Sequence, residues 1–466
     1  MGQNHALRDG RLTSPAAIVL SIFVLLSGVL PLQAESLSQF AADAFAHDAR
    51  LASAEASYRA GLEKEPEARA VFLPHLGLNQ SDFKNAIHVP GQPAAPYSTV
   101  GATLSLNQSI FKWDDWQTWQ QGRLSVADAG LAFSSAKQDL LLRVAQAYFD
   151  ALAAKDDFSL AQLHQRSVNE QLALAKRSFA LGAATVVDLN EARAGADSAL
   201  SDLVEAQSTL DRRYAALQKI VGHPVDAIDP FDADANITRI AAGSIEQWIS
   251  DAAVSGLDVR RQQIALEIAR RDVSKVDAGY MPTVSLIGNA SHGNAAFING
   301  QTNFYTGANR ATSGEIGIQI SIPLFDGLST MSRKREALAL KDKAQDDLED
   351  ARRSAALDAQ QAFLGVRDGQ AQVTAPRTAQ RSARTSLDSN RKGFKVGVRI
   401  NADVLSAEDK LFSTQRDLAK ACYDTLMQFL RLKASVAQLD ETAIDQLSAG
   451  TEPRPEQEDV QANNSK

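Results

Sequence analysis

The chain has 466 residues, a formal net charge of −8 at pH 7 and a single cysteine, Cys422. Its length suits two or three ordinary domains, and its acidic balance argues against nucleic acid as a partner. One cysteine excludes an intrachain disulfide, and Cys422 falls in a predicted helix as a small packing residue.

The N-terminus has the pattern of a secretory signal peptide. Arg8 and Arg11 precede an apolar run over residues 16–30. This run is short for a membrane span and suits a signal-peptide core, so we expect cleavage after Ala34 and removal of residues 1–34. A retained membrane anchor is the alternative. No cysteine follows the run, which excludes a lipid-modified N-terminal cysteine.

A helix is predicted over residues 36–70, because apolar side chains recur there at helical spacing. Pro74 ends the helical pattern, and Leu76 and Leu78 then alternate with polar or small residues. After a loop at 88–96, residues 99–107 alternate between an apolar and a polar face. That period of two predicts a strand.

A very long helix is predicted next. Residues 113–180 contain no proline, and a helix of that length spans about 100 Å. A return helix is predicted over 186–221. Helices of this length are typical of coiled-coil-like packing.

The second half repeats this order after a linker at 223–243. A helix is predicted over 244–278, and a strand begins at Val284. After a Gly- and Asn-rich loop, residues 315–324 alternate strictly. The aliphatic positions of this strand are Ile316, Ile318, Ile320, Ile322 and Leu324. If the strand belongs to a membrane barrel, we expect the four isoleucines to face lipid.

The second pair of long helices is predicted over 327–393 and 402–439. Pro376 lies inside the first of them and predicts a kink or a discontinuity. The polar segment 441–466 is predicted to be a disordered tail.

Two copies of one motif lie at the ends of the long helices. Phe179 and Phe394 each stand three residues before a glycine, Gly182 or Gly397, and an aspartate follows six residues after that glycine. Glycine suits a left-handed helix end, and aspartate suits the free N–H groups of the next helix. The match continues at an offset of 215 residues over about 140–220, which indicates an internal repeat.

No catalytic or metal-binding motif is recognised. The seven histidines do not share a helical turn, and no phosphate-binding loop or nucleophile elbow is present. We therefore expect neither an enzyme nor a bound cofactor.

The alternating strands fit either the cover of a soluble core or a membrane barrel with an apolar lipid face. Four strands cannot close a barrel, and open edges are costly in lipid, so a barrel needs strands from other copies. Two copies supply eight strands and three supply twelve. Trp113, Trp116 and Trp119 suit an interfacial belt and helix packing equally well.

The chain resembles the TolC family of outer-membrane efflux and type I secretion proteins over nearly all of residues 36–440. The resemblance lies in the two glycine motifs and in three short segments. These segments are Asn107–Phe111, Ala147–Leu152 and Ile322–Gly327.

The resemblance implies an α+β membrane protein that is trimeric. Long α-helical hairpins form a periplasmic α-barrel, and four transmembrane β-strands per chain contribute to a shared β-barrel in the outer membrane of a Gram-negative bacterium. The implied domains are a signal peptide at 1–34, a first repeat at 35–222, the linker at 223–243, a second repeat at 244–440 and the tail.

The implied function is an outer-membrane exit duct for efflux of small molecules or type I secretion of proteins. Its implied partners are a periplasmic adaptor and an inner-membrane transporter of RND or ABC type. The adaptor contacts the tips at Leu181, Gly182, Val396 and Gly397. A periplasmic helical scaffold without a pore is the alternative, although it leaves the alternating strands unexplained.

The family also implies a pore constriction just before the second tip, often with two acidic residues. Here Asp388 matches one position, whereas Arg391 stands where a second acid is expected. We expect Arg391 to neutralise Asp388 in part, within one chain or between chains. An ordinary exposed ion pair is the alternative.

Overall fold

The structure is a computed structural model. It describes residues 35–88, 90–91, 95–225, 227–229, 231, 233, 237, 243–294 and 310–448. The predicted signal peptide and the segment after residue 448 lie outside the described residues.

The described elements follow the predicted order of helices, strand pair and helical hairpin, twice over. The helices are α1 Leu37–His47, α2 Ala49–Leu62, α3 Lys64–Arg69, α4 Trp113–Ala180, α5 Val186–Val221, α6 Ile245–Ser255, α7 Leu257–Asp277, α8 Ser329–Lys395, α9 Asn401–Ser435 and α10 Glu441–Ser448. The strands are β1 His75–Ile87, β2 Ala95–Phe111, β3 Thr283–Asn294 and β4 Arg310–Ser321. Short 3₁₀ turns at Ala70–Phe72 and Ala278–Tyr280 lead into β1 and β3.

The four strands form one antiparallel sheet in the order β1-β2-β3-β4. Leu78 lies opposite Leu104, and Leu104 lies opposite Ala290. Within the described residues, β1 and β4 each have a neighbour on one side only. The sheet therefore has two open edges.

The predicted long helices are confirmed with small shifts in their ends. α4 spans 68 residues without interruption. α8 spans 67 residues and continues through Pro376, so a discontinuity at this proline is wrong, while the alternative of a kink stays a prediction. Proline removes one backbone N–H donor there, but the remaining helical hydrogen bonds carry the helix past it.

None of the helices in the described part of the chain combines the length and the apolarity that a helical membrane span requires.

Two helices that we predicted as continuous are broken. The first is interrupted at Asp48, which has extended backbone and whose side chain accepts a hydrogen bond from Leu51 N at 2.8 Å. The second is interrupted at Gly256, which has φ −51° and ψ 135°. A capping side chain and a glycine each favour the start of a new helix over continuation of the preceding one.

The main core lies midway along the hairpins. Phe40 of α1 packs against Tyr148 of α4, and Phe149 stacks on Tyr423 of α9 with ring centroids 5.8 Å apart. α10 also contributes, because Ile444 is 1% exposed and belongs to this core. The prediction of a disordered tail from residue 441 is therefore wrong for 441–448, where the apolar residues lie on one helical face.

Candidate functional site

The sheet has one apolar and one polar face, as the period of two requires. Leu76 pairs with Leu106, Leu106 pairs with Gly288, and Gly288 pairs with Ile316, so one apolar row crosses all four strands. Leu76 is 70% exposed and Ile316 is 72% exposed in the single chain. Exposed apolar area of this extent requires a partner or a lipid surface.

The opposite face carries hydrogen bonds between polar side chains on neighbouring strands. Thr103 Oγ1 lies 3.0 Å from Ser291 Oγ, and Asn289 Nδ2 donates to Glu315 Oε1 at 3.0 Å. These groups suit contact with water. The sheet thus has one apolar and one polar face.

The aliphatic row of the last strand is exposed, but it does not lie wholly within β4. Ile316, Ile318 and Ile320 are 72%, 67% and 64% exposed. Ile322 is also exposed but follows the end of β4 at Ser321. We therefore expect Ile322 to lie at the rim of the apolar band.

The three tryptophans, Trp113, Trp116 and Trp119, lie in the first turns of α4, which follows strand β2 directly. Trp119 packs against Phe72 with ring centroids 6.4 Å apart, and against Trp116 at 5.0 Å. Trp113 and Trp116 remain partly exposed, at 36% and 42%. Trp119 thus serves packing, while the other two are available to an interface.

The first hairpin tip is closed by local hydrogen bonds. Gly182 has φ +73°, and Ala183 N donates to Ser178 O at 2.8 Å. Thr185 and Asp188 then form a reciprocal cap, because Thr185 N donates to Asp188 Oδ2 at 2.8 Å and Asp188 N donates to Thr185 Oγ1 at 3.2 Å. The hydrogen bond from Thr185 N lowers the pKa of Asp188.

The second tip repeats this turn with a different cap. Gly397 has φ +75°, and Val398 N donates to Gly393 O at 2.9 Å. Ile400 occupies the capping position, where Thr185 stands in the first tip, so its side chain offers no hydroxyl. Asp403 still accepts from Ile400 N at 3.4 Å.

Both tips expose the residues that we predicted for partner contact. Leu181 is 84% exposed and Val396 is 75% exposed. Neither glycine has another heavy atom near the position that a Cβ would take, apart from its own chain neighbours. The apolar side chains at the tips are thus presented to solvent in the single chain.

Arg391 does not pair with Asp388 within the chain, so the intrachain form of our expectation is wrong, and pairing between chains stays a prediction. Its Nη2 donates to Glu408 Oε1 and to Ser167 Oγ, each at 2.7 Å, and Ser167 Oγ donates to the same carboxylate oxygen at 2.8 Å. Glu408 is 4% exposed, whereas Asp388 is exposed. Arg391 therefore connects α8 to α9 and α4.

Neither Ser167 nor Glu408 was predicted from the sequence. Ser167 precedes Arg391 by more than two hundred residues, and no local pattern joins them. The only available signal was a polar residue on the apolar side of α9, at Glu408. Acids are frequent on these helices, so that signal was not specific.

Another unpredicted group lies where the described chain begins. His223 Nε2 is 3.3 Å from Asp43 Oδ2, and ligand-type atoms of Glu35, Asp43 and His223 all lie within 4.8 Å of one another. His223 Nδ1 is 3.0 Å from Pro224 O. The hydrogen bond to Pro224 O, followed by the one to Asp43, raises the pKa of His223. A protonated His223 thus ties α1 to the residues after α5.

Comparison with known proteins gives a consistent result. The family model described as outer membrane efflux protein matches residues 41–223 and 248–438. The chain is 27% identical to the outer membrane protein TolC of Vibrio cholerae over 417 residues, covering 90% of this chain and 94% of that protein. It is 29% identical to the alkaline protease secretion protein AprF of Pseudomonas aeruginosa, covering 87% and 85%.

A solved structure has the same fold. The outer membrane protein VceC of Vibrio cholerae superposes with a TM-score of 0.70 at 19% identity, covering 87% of this chain and 97% of that one.

Proposed function

Because the chain belongs to the outer membrane efflux protein family and is an outer-membrane channel for efflux or secretion, we propose that three copies stand side by side and form one duct. The observation that carries this proposal is the four-stranded sheet with one apolar face and two open edges. Three such sheets joined at their edges give a closed twelve-stranded barrel and leave no unpaired edge in lipid.

The long hairpins continue the duct into the periplasm. α4 and α8, at 68 and 67 residues, each extend about 100 Å from the sheet. In the proposed trimer, α4, α5, α8 and α9 from each copy surround an aqueous tunnel. The two repeats, 35–222 and 244–440, supply equivalent halves of each subunit, joined by 223–243.

The tips form the docking surface for a periplasmic adaptor, which connects the duct to an inner-membrane transporter of RND or ABC type. The exposed Leu181 and Val396 beside Gly182 and Gly397 support this role, because they are apolar side chains without cover in the single chain. The small molecules or proteins that are exported pass through the water-filled tunnel.

The tunnel is narrowest at the level of Asp388 and Arg391. Arg391 braces the hairpin internally through Glu408, and Asp388 is exposed. Asp388→Ala should therefore reduce the preference for cations. Reversal potentials under a salt gradient test this, and an unchanged value in a conducting variant removes Asp388 from the constriction.

Processing after Ala34 delivers the mature chain to the outer membrane. N-terminal sequencing of the membrane-inserted protein should begin at or near Glu35. Retention of residues 1–34 would contradict this part of the proposal.

Reconstitution tests the channel itself. Protein purified from outer membranes in detergent should form discrete conductance steps in planar lipid bilayers, and crosslinking should yield a trimer. A protein that leaves cells with the soluble periplasmic fraction and gives no conductance is a scaffold without a pore.

A further inference from the structure

The long helices have a definite order at the tip end of the chain. α5 packs on α4, α4 packs on α9, and α9 packs on α8. α5 and α8 are therefore the two ends of a row of four helices. When copies stand side by side in a ring, α8 of one copy faces α5 of the next.

The tip-side part of α8 is strongly basic, although the whole chain is acidic. Between Pro376 and the second tip, six cationic residues and one acid, Asp388, lie on the helix. The cations are Arg377, Arg381, Arg384, Arg391, Lys392 and Lys395. Spacings of three and four residues place most of them on one flank of α8.

Most of this charge has no counterpart among the residues that the structure describes. Arg381, Arg384, Lys392 and Lys395 are exposed, and none of them forms an ion pair with another described residue. Like charges at this density repel one another. The arrangement is therefore unfavourable unless a negative surface approaches it.

The tip-side part of α5 has the opposite charge. It carries five acids and a single cation, Arg193. The acids are Asp188, Glu191, Asp197, Asp202 and Glu205. Asp197 and Glu205 line a shallow groove with two exposed aliphatic side chains, Leu200 at 49% and Val204 at 62% exposure. One cation, Arg212, lines the end of this groove that is farthest from the tip.

We propose that the basic flank of α8 docks on this acidic groove of α5 in the next copy of the chain. Arginine suits both parts of the groove, because its guanidinium pairs with carboxylates and its aliphatic stem covers apolar surface. α5 and α8, at the two ends of the row, have opposite charge. Contact between α8 of one copy and α5 of the next is therefore favoured, whereas contact between two α5 helices or two α8 helices is disfavoured.

The heights along the helices are compatible. From the tip glycine of each hairpin, Arg384 and Arg381 lie about 20 and 24 Å along α8, and Asp197 lies about 22 Å along α5, at 1.5 Å per residue. Glu205 lies about 34 Å along α5, so Asp197 is the acid that is level with the two arginines. Residues of both tips line one cavity, so the two tips of a chain lie at a similar height. A symmetry axis parallel to the helices keeps this height the same in every copy. A long arginine side chain bridges the remaining offset.

The proposal rests on side-by-side assembly of copies, and exchange of charge tests it. Arg381→Glu with Arg384→Glu should reduce the crosslinked oligomer at least tenfold in detergent. Asp197→Lys with Glu205→Lys should do the same. The variant with all four changes restores opposite charges, so its oligomer yield should return to within about threefold of wild type.

Lys410→Glu with Arg431→Glu is the matched control. Both cations are exposed on α9, inside the row, and the change in net charge is identical. This variant should assemble like the wild type. Each variant is also incorporated into planar bilayers to measure its reversal potential.

The outcomes separate this inference from the proposed function. If the wild type assembles and conducts but the quadruple variant stays as defective as the doubles, the pairing of α8 with α5 is wrong. If the α8 double variant assembles normally and only its reversal potential changes, the basic flank lines the lumen instead. If the wild type itself neither assembles nor conducts, the proposed function fails first.

Discussion

The first hairpin, formed by α4 and α5, and the second, formed by α8 and α9, agree wherever backbone geometry sets the requirement. Gly182 and Gly397 have φ angles of +73° and +75°. Asp188 and Asp403 both occupy the third position of the following helix. The turn needs a left-handed residue and an acceptor for free N–H groups, and these requirements are identical in both copies.

The hairpins differ where side chains contact something other than their own turn. Arg391 and Glu408 form a buried tie in the second hairpin, whereas the equivalent positions at an offset of 215 are Lys176 and Arg193, which have like charge. Thr185 caps α5, but Ile400 stands at the equivalent position before α9. Shared residues thus mark the fold, and divergent ones mark the separate environment of each hairpin.

The largest expected effect is on insertion of the sheet into lipid, and strands from both repeats should show it. Ile318→Lys in β4 and Leu104→Lys in β2 each place a charge on the apolar face. A lipid-facing lysine at mid-bilayer costs about 2–4 kcal/mol, and less near the interface. Both variants should fold into lipid vesicles in lower yield, measured by the fraction that resists added protease.

Gln319→Lys and Thr103→Lys are the controls, because these residues lie on the polar face of the same strands. They should insert nearly as well as the wild type. Equal yields for all four variants would contradict the assignment of the two faces.

The second largest expected effect is a loss of stability in the second hairpin only. Arg391→Ala leaves the Glu408 carboxylate buried with only the Ser167 hydroxyl as donor. An unsatisfied buried group costs about 1–3 kcal/mol, and the partial exposure of Arg391 places the effect in the lower half of that range. Hydrogen exchange near the second tip should become faster.

Lys176→Ala is the equivalent change in the first hairpin. Lys176 is exposed and has no described ion pair, so exchange near the first tip should change little. A similar acceleration in both hairpins would show that the tie is not specific to Arg391.

The caps offer a smaller and reciprocal test. Thr185→Ala removes the hydroxyl that accepts from Asp188 N and should destabilise the start of α5 by about 1 kcal/mol. Ile400→Thr supplies the missing hydroxyl to α9 and should stabilise it by up to a similar amount. Local hydrogen exchange at each helix start measures both effects, and a loss of stability in Ile400→Thr would indicate that Ile400 has a packing role.

The architecture could be predicted from periodicity, because long helices and amphipathic strands have a strong local signature. The α4 boundaries and the alternation of β2 and β4 followed directly from it. The breaks at Asp48 and Gly256 were missed because a single residue interrupts an otherwise continuous pattern. The helix Glu441–Ser448 was missed because it is short and its core partners are remote in sequence.

The site was predictable only in its local parts. The tips follow from a glycine and an aspartate at fixed spacing, so Leu181 and Val396 were placed correctly at exposed turns. The partner of Arg391 within the chain was predicted wrongly, because Glu408 and Ser167 reach it through tertiary packing of three helices. Ion pairs of this kind depend on the relative rotation of helices, which one sequence does not specify.

The smallest effect concerns pH and the ends of the two return helices. His223 follows α5, and the equivalent residue after α9 is Gln438, which does not titrate. The hydrogen bond to Pro224 O and the carboxylate of Asp43 raise the pKa of His223 in the folded state. Its contribution to stability is therefore complete below the unfolded pKa of about 6.5 and is lost as pH rises through the folded pKa. Because the side chain is 32% exposed, we expect this contribution to stability to be only a few tenths of a kcal/mol.

His223→Gln, which makes the two repeats alike, should remove this decline between pH 6 and pH 8 in thermal unfolding of the detergent-solubilised protein. An unchanged decline in the variant would assign the pH dependence to another group.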